Sequence, residues 1–369
     1  MNKTKISAKK FRFFAFQAII IYIIVEVLCS VAIYTKYIPA NLPSFSSDLF
    51  KDVIVADVNE HWGNWHPYRE AVLKRGDCID MVMKYNSIGA RDKERSELGD
   101  SNRVVFLGDS YIEGYGVKEE ARLSNLLEKE TGREMLNFGC SGLGFVQEYL
   151  VYEHLAKKYS HNTVLLGLMP GNDFVDSDLA QQKEANMGHY KPYFTGNYPD
   201  CTLTHWVEKL EDSPYAASKI KGWKRKTVRI FKSFTFWFNI FYYFQYLKPE
   251  IDANNAQYSG FYDFTPTQLE SLKCSLQALK NSAKNKYLIV FSIPNEIDFQ
   301  YYKAKGESPL QRELTTFCEE IGIKYIDLLS LWYKEKQEKV KDLYIPCDGH
   351  WAEKANVKAA KTLLPLFQK

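Results

Sequence analysis

Residues 104–117 read VVFLGDSYIEGYGV. Val104, Val105, Phe106 and Leu107 form an apolar run of strand character that passes straight into Gly108-Asp109-Ser110, where small and turn-forming residues take over. A buried strand followed at once by a serine delivers a hydroxyl to the edge of a sheet. Open α/β sheets bind their substrates in the crevice beyond the carboxyl ends of the strands, so Ser110 is a candidate nucleophile. Gly-Asp-Ser is also an ordinary turn composition, and the tripeptide has to be weighed against the rest of the chain.

Downstream of this strand the pattern alternates in the α/β manner. A helix is expected over about 121–131, with Leu123, Leu126 and Leu127 on one face and Gly132 ending it. Strand Glu134–Phe138, a helix over about 146–158, and an apolar run Val164–Met169 follow. The rhythm then breaks over Phe174–Phe264, which offers no clear strand. That stretch holds a basic segment, Lys219–Lys232, followed by the aromatic run Phe234–Phe244. A run apolar on every face must be buried or lie in lipid, so a helix packed over a cleft and an interfacial membrane helix both remain open. Alternation returns with helices over about 267–285, 309–321 and 352–367 and strands Lys286–Ile293 and Lys324–Leu328. The expected fold is α/β: a flavodoxin-like, doubly wound parallel sheet of five strands with a large helical or irregular insert after the third.

Upstream, Lys3, Lys5, Lys9, Lys10 and Arg12 stand before an apolar run, Phe13–Tyr34, broken only by Gln17, Glu26 and Ser30. At 1.5 Å per residue this run is long enough to cross a hydrocarbon core of ~30 Å, and it is long for a cleaved signal. One N-terminal transmembrane helix is expected, with the basic end in the cytoplasm and the residues after 36 outside it. Glu26 inside the span invites a polar partner or sits near the headgroups. Pro39–Ser47 has linker composition. The 369 residues carry 48 basic and 45 acidic side chains, a net charge of +3 that gives no electrostatic argument for a nucleic-acid partner. Beyond Cys29, cysteines 78, 140, 201, 274, 318 and 347 admit fifteen disulfide connectivities if they lie outside the cytoplasm. None has C-x-x-C spacing and there is no H-E-x-x-H, so a metal site is not expected.

A serine hydroxyl needs an adjacent base, usually a histidine oriented by a carboxylate. His350, in Pro346-Cys347-Asp348-Gly349-His350-Trp351, lies at the end of the sheet order, in a turn just before a helix. Such a turn can hold Asp348 and His350 as neighbours, with Ser110 on the other side of the imidazole. These blocks, in their order, resemble the SGNH (GDSL-type) hydrolase superfamily. The resemblance rests on Gly108-Asp109-Ser110 after the first sheet strand, Asn137 to Gly142 after the second, Gly171-Asn172-Asp173 after the third, and Asp348-Gly349-His350 before the last helix. Tyr85 to Asp92, YNSIGARD, is similar to the N-S-x-G-x-R-D stretch that precedes the serine block in many bacterial members. The resemblance implies a triad of Ser110, His350 and Asp348 and an oxyanion hole made by the Ser110 amide, Gly142 and Asn172. Two departures stand out. The family's last block is usually D-x-x-H, whereas Asp348-Gly349-His350-Trp351 looks like the D-x-H-W of acetyl-transferring branches. Pro170 occupies the first position of the usual G-x-N-D. There is no G-x-S-x-G elbow, Walker loop or G-x-G-x-x-G.

The expectation is therefore a membrane-anchored, extracytoplasmic serine esterase or acyl hydrolase without metal or organic cofactor. An O-acyltransferase acting on an envelope polysaccharide, and a non-catalytic module of a membrane complex, are the alternatives. Its expected partners are an acyl ester carried by a carbohydrate or lipid, the membrane through residues 13–34, and a membrane protein beside the anchor. The expected division is 1–36 stub and anchor, 37–100 linker and lead-in, and 101–369 hydrolase-like domain with its insert at 174–264.

Overall fold

The computed structural model of the protein describes residues 8–35, 57–59, 61–65, 70–75, 79–184, 190–206, 240, 258–335, 339–346 and 348–367. The chain divides into two compact units, residues 1–50 with 221–257 and residues 51–220 with 258–369. The linker at 39–47 and, apart from Ile240, the basic and aromatic segments at 219–244 lie outside the described residues.

In the first unit, α1 (Ala8–Tyr34) is long and apolar enough over Lys9–Ala32 to cross a membrane. Its 24-residue apolar window corresponds to about 36 Å of helix. The acid inside it has a donor on its own helix: Tyr22 Oη donates to Glu26 Oε1 at 2.8 Å, one turn back. Ser30 Oγ donates to the Glu26 carbonyl at 2.7 Å, so this polar stripe is satisfied within the helix.

The second unit opens with two short antiparallel pairs, β1 (Asp57–Asn59) with β2 (Gly63–Trp65) and β3 (Glu70–Arg75) with β4 (Ile79–Lys84). The principal sheet is built from β5 (Val104–Gly108), β6 (Met135–Asn137), β7 (Thr163–Leu168), β10 (Tyr287–Ser292) and β11 (Lys324–Asp327). Its order is β11-β10-β7-β5-β6 and every pairing is parallel. In strand sequence this is 2-1-3-4-5, the expected flavodoxin-like arrangement. β5, whose residues are all buried, lies between β6 and β7. Right-handed crossovers then place α3 (Leu123–Thr131) on one face and α4 (Phe145–His154) on the other. The packing agrees: α3 lies against α11 (Glu353–Leu363), and α4 against α7 (Pro266–Ser282). The reversal of strand order falls between β5 and β7, where such sheets open a crevice at their carboxyl ends.

The helix α2 (Ser110–Glu113) lies against the carboxyl ends of three strands because three glycines let it in. A Cβ on Gly108 would stand 2.2 Å from Ile112 Cγ1, and one on Gly167 would stand 2.5 Å from Ile112 Cδ1. At Gly139 it would meet the Glu113 amide nitrogen at 2.3 Å and the Ile112 carbonyl carbon at 2.6 Å. Backbone cannot yield as a flexible side-chain end can, so Gly139→Ala is expected to displace α2. Overpacking of this kind costs about 1–3 kcal/mol, to be read in chemical denaturation.

Three parts of the fold depart from the sequence expectation. The segment 174–264 does contain strands, the antiparallel pair β8 (Pro192–Thr195) and β9 (Thr202–His205). They are four residues each, β8 starting buried and β9 starting exposed, too short for alternation to show. β11 stops at Asp327 and Leu328 opens α10 (Leu328–Glu335), because the Asp327 carboxylate accepts from the amides of Leu329 and Ser330 and starts a helix there. A further helix, α8 (Glu296–Lys305), stands between β10 and α9 (Pro309–Glu320), opened by a capping box of Asn295 and Asp298.

Cys201 and Cys274 are disulfide-bonded across 73 residues, tying the start of β9 to α7. Cys140 is buried, Cys318 is a buried thiol outside any disulfide, and Cys78 and Cys347 lie outside the described residues. Replacing Cys201 and Cys274 by serine is expected to lower the unfolding free energy by about 2–4 kcal/mol, measured on the oxidised protein.

Candidate active site

Ser110 is the first residue of α2. Asp109 caps that helix by accepting from the Tyr111 amide at 2.9 Å, and Gly114, at φ +78°, ends it after one turn. The serine is thus fixed at the mouth of the crevice on a turn of four residues rather than on a mobile loop.

The histidine comes from the segment before α11. Tyr344 and Trp351 form an antiparallel bridge, and the Ile345 amide donates to the His350 carbonyl at 2.8 Å. Gly349 closes the turn at φ +88°, a conformation that favours glycine, and its amide donates to the Ile345 carbonyl at 2.8 Å. Across 240 residues of chain, Ser110 Oγ lies 2.8 Å from His350 Nε2. The Asp348 carboxylate meets Nδ1 of the same ring, and its side chain is fully buried. A carboxylate at Nδ1 holds the ring proton there and leaves the Nε2 lone pair for the serine hydroxyl. The imidazole is steadied further by the rings of Tyr111 and Tyr115, with centroids at 5.0 and 4.6 Å. Tyr111 Oη lies within donating reach of Asn295 Oδ1 at 3.0 Å and of the Gly349 carbonyl at 3.2 Å, its one hydrogen serving either, which ties the serine turn to the histidine turn. Trp351 is buried between Tyr111 and Trp332 and so supports this turn from the protein side.

Gly142 and Asn172 come from the loops after β6 and β7. Gly142 adopts φ +79° with open space where a Cβ would be, so conformation rather than crowding calls for glycine. Asn172 lies in the first turn of α5 (Pro170–Asp176), and Pro170 is tolerated at N1, where no amide donor is needed. Asn172 Nδ2 donates to Asp109 Oδ2 at 3.0 Å. Burial pushes the Asp109 carboxyl up to about 6, against the lowering effect of its hydrogen bonds to the Tyr111 amide and Asn172 and of His350. Asp173 is turned inward and accepts from the Met169 amide at 2.6 Å; burial first, then Glu148 and Asp109, raise it well above the usual carboxylate range.

All five residues singled out by the sequence therefore belong to elements at the carboxyl ends of the sheet strands or to the turn before α11. Sequence reasoning missed Tyr111, Asn295, Glu113 and the structural use of Asp109. The one available signal was the position of Asp109 before a helix start, the mark of an N-cap. Among the described residues no cluster of three or more His, Cys, Asp or Glu is arranged to hold a metal.

No family model matches this chain, and no curated protein matches it either. Solved structures do. A lipolytic protein of the G-D-S-L family from Desulfitobacterium hafniense is 12% identical, with 72% of this chain and 99% of that one covered and a TM-score of 0.39. The psychrotrophic esterase EstA from Pseudoalteromonas sp. is 12% identical over 72% and 95% of the two chains, TM-score 0.37. A carbohydrate esterase family 2 enzyme from Corynascus thermopiles is 12% identical over 74% and 68%, TM-score 0.38.

Proposed function

We propose that the protein is a serine esterase or acyl hydrolase of the SGNH type, working through an acyl-serine intermediate. The observation that carries this reading is the continuous line from Ser110 Oγ through the His350 imidazole to the Asp348 carboxylate. His350 Nε2 takes the Ser110 proton as Oγ attacks the ester carbonyl carbon, whose C=O electron pair moves onto oxygen to give a tetrahedral oxyanion adduct. The Ser110 and Gly142 amides and Asn172 Nδ2 stabilise its oxyanion. Collapse breaks the bond to the leaving alcohol, which receives the proton from His350. Water then attacks the acyl-serine with His350 again as base, releasing the acid and restoring the hydroxyl.

The same intermediate serves a transferase when a sugar hydroxyl replaces water. Trp351, buried between Tyr111 and Trp332, does not distinguish the two branches. Hydrolysis is the leading reading, over both the O-acyltransferase and the non-catalytic module. Supplying 4-nitrophenyl acetate with and without an oligosaccharide tests it. Free acetate is the expected product in both, and acetylated sugar at acetate's expense would shift the reading to a transferase.

The substrate is read as an acyl ester of a carbohydrate or lipid, and the anchor as holding the catalytic unit outside the cytoplasm. Five basic residues before the apolar run and the Cys201–Cys274 bond support that side. A membrane-protein partner beside α1 has less support, because Glu26 already receives Tyr22 Oη.

A further inference from the structure

The block Tyr85–Asp92 lies outside the triad and the oxyanion hole, yet its polar side chains reach the Ser110 turn and the end of β6. Tyr85 Oη donates to Glu113 Oε1 at 2.8 Å. Asn86 folds the block into a turn, its Oδ1 accepting from the Ala90 amide at 2.9 Å. Arg91 donates from Nη1 to the carbonyls of Glu113, at 3.0 Å, and Gly114, and from Nη2 to Val117 at 2.7 Å. Asp92 Oδ2 accepts from the Asn137 amide at 3.2 Å, at the end of β6.

Glu113 stands where these lines meet. It is the last residue of the turn that begins with Ser110, and it is fully buried. Its Oε2 accepts from the Ser141 amide at 2.9 Å and from the Ser141 hydroxyl. Ser141 precedes Gly142, so one carboxylate fixes the peptide leading into the oxyanion donor relative to the nucleophile's own turn. The buried Arg91 guanidinium lies near enough for its positive charge to favour the carboxylate form. A buried carboxylate is stable only when its oxygens are occupied, and here both are, by donors from the two segments that must be held in register.

We infer that Glu113 is a positioning residue that sets the Ser141–Gly142 loop against the Ser110 turn, and that the 85–92 block serves to hold Glu113 in place. The inference rests on the hydrolase reading and assigns a task to residues that reading leaves unused. Glutamine at 113 presents a single carbonyl oxygen, so one of its donors would face an amide NH₂ instead of an acceptor.

The test uses Glu113→Gln and Tyr85→Phe in the full-length chain, with 4-nitrophenyl acetate turnover, affinity for a boronic acid that forms a tetrahedral adduct on serine, and thermal unfolding. For E113Q the expected result is a kcat about 10–100-fold lower with KM nearly unchanged, and boronate affinity weakened by the same factor. Tyr85→Phe, which removes one hydroxyl and keeps the ring, is expected to lose about threefold to tenfold in both readouts. Should E113Q not fold, the Tyr85→Phe comparison decides. Variants that match an active wild type overturn the inference, and so does a loss of kcat with boronate affinity retained. A wild type that takes no fluorophosphonate label and turns over no ester overturns the hydrolase reading itself, and this inference with it.

Discussion

Ser110→Ala is expected to abolish fluorophosphonate labelling and to lower ester turnover by about 10⁴–10⁶-fold. The size follows from what the hydroxyl supplies. With His350 Nε2 at 2.8 Å and the ring proton held at Nδ1 by Asp348, the serine is the group already paired with a base. Removing it leaves water to attack without a covalent intermediate, helped only by the oxyanion donors and by binding. The protein should still fold, because the hydroxyl contributes a single side-chain hydrogen bond, to His350, while α2 is held by the Asp109 cap and by Ile112 against Gly108 and Gly167. A folded S110A that is still labelled places the nucleophile elsewhere. A folded wild type that resists labelling returns the chain to the non-catalytic reading.

How far the sequence carried the fold differs from element to element, for physical reasons. β5 was legible because an unbroken apolar run ending in Gly108 is what a strand buried on both faces requires. The order of the sheet followed from alternation and the handedness of crossovers, which leave few topologies for five parallel strands. β8 and β9 were not legible, since strands of four residues are too short to show a period. The line from Ser110 through His350 to Asp348 could be placed because a turn brings Asp348 and His350 together locally, whatever the rest of the chain does. The supporting shell could not. Glu113 in YIEG has the look of a solvated residue on a short helix, and its burial arises only when the β4–β5 lead-in and the loop after β6 close over it. Trp351 was likewise not legible as a support: the sequence shows it only as the last residue of the D-x-H-W block, while the structure packs it between Tyr111 and Trp332.

Asn172→Ala carries the second large effect, a kcat about 10²–10³-fold lower with KM nearly unchanged. Asn172 Nδ2 has two hydrogens, and one is committed to Asp109 Oδ2 at 3.0 Å. That commitment fixes the amide before any substrate arrives, and the proposed role assigns its second hydrogen to the oxyanion developing on the substrate. Alanine removes the donor and also strips a partner from a buried carboxylate whose pKa burial has already pushed up to about 6. A loss of stability of about 1–3 kcal/mol is therefore expected alongside the kinetic loss. Asp109→Asn separates the two contributions. Its side chain keeps one carbonyl oxygen, which can serve the Tyr111 amide or Asn172 but not both, so the donor survives while its orientation is lost. The expected order of turnover is wild type, then Asp109→Asn, then Asn172→Ala, with Ser110 still labelled in each. An Asn172→Ala protein that turns over at the wild-type rate would remove Asn172 from the oxyanion hole and leave the Ser110 and Gly142 amides as its only donors.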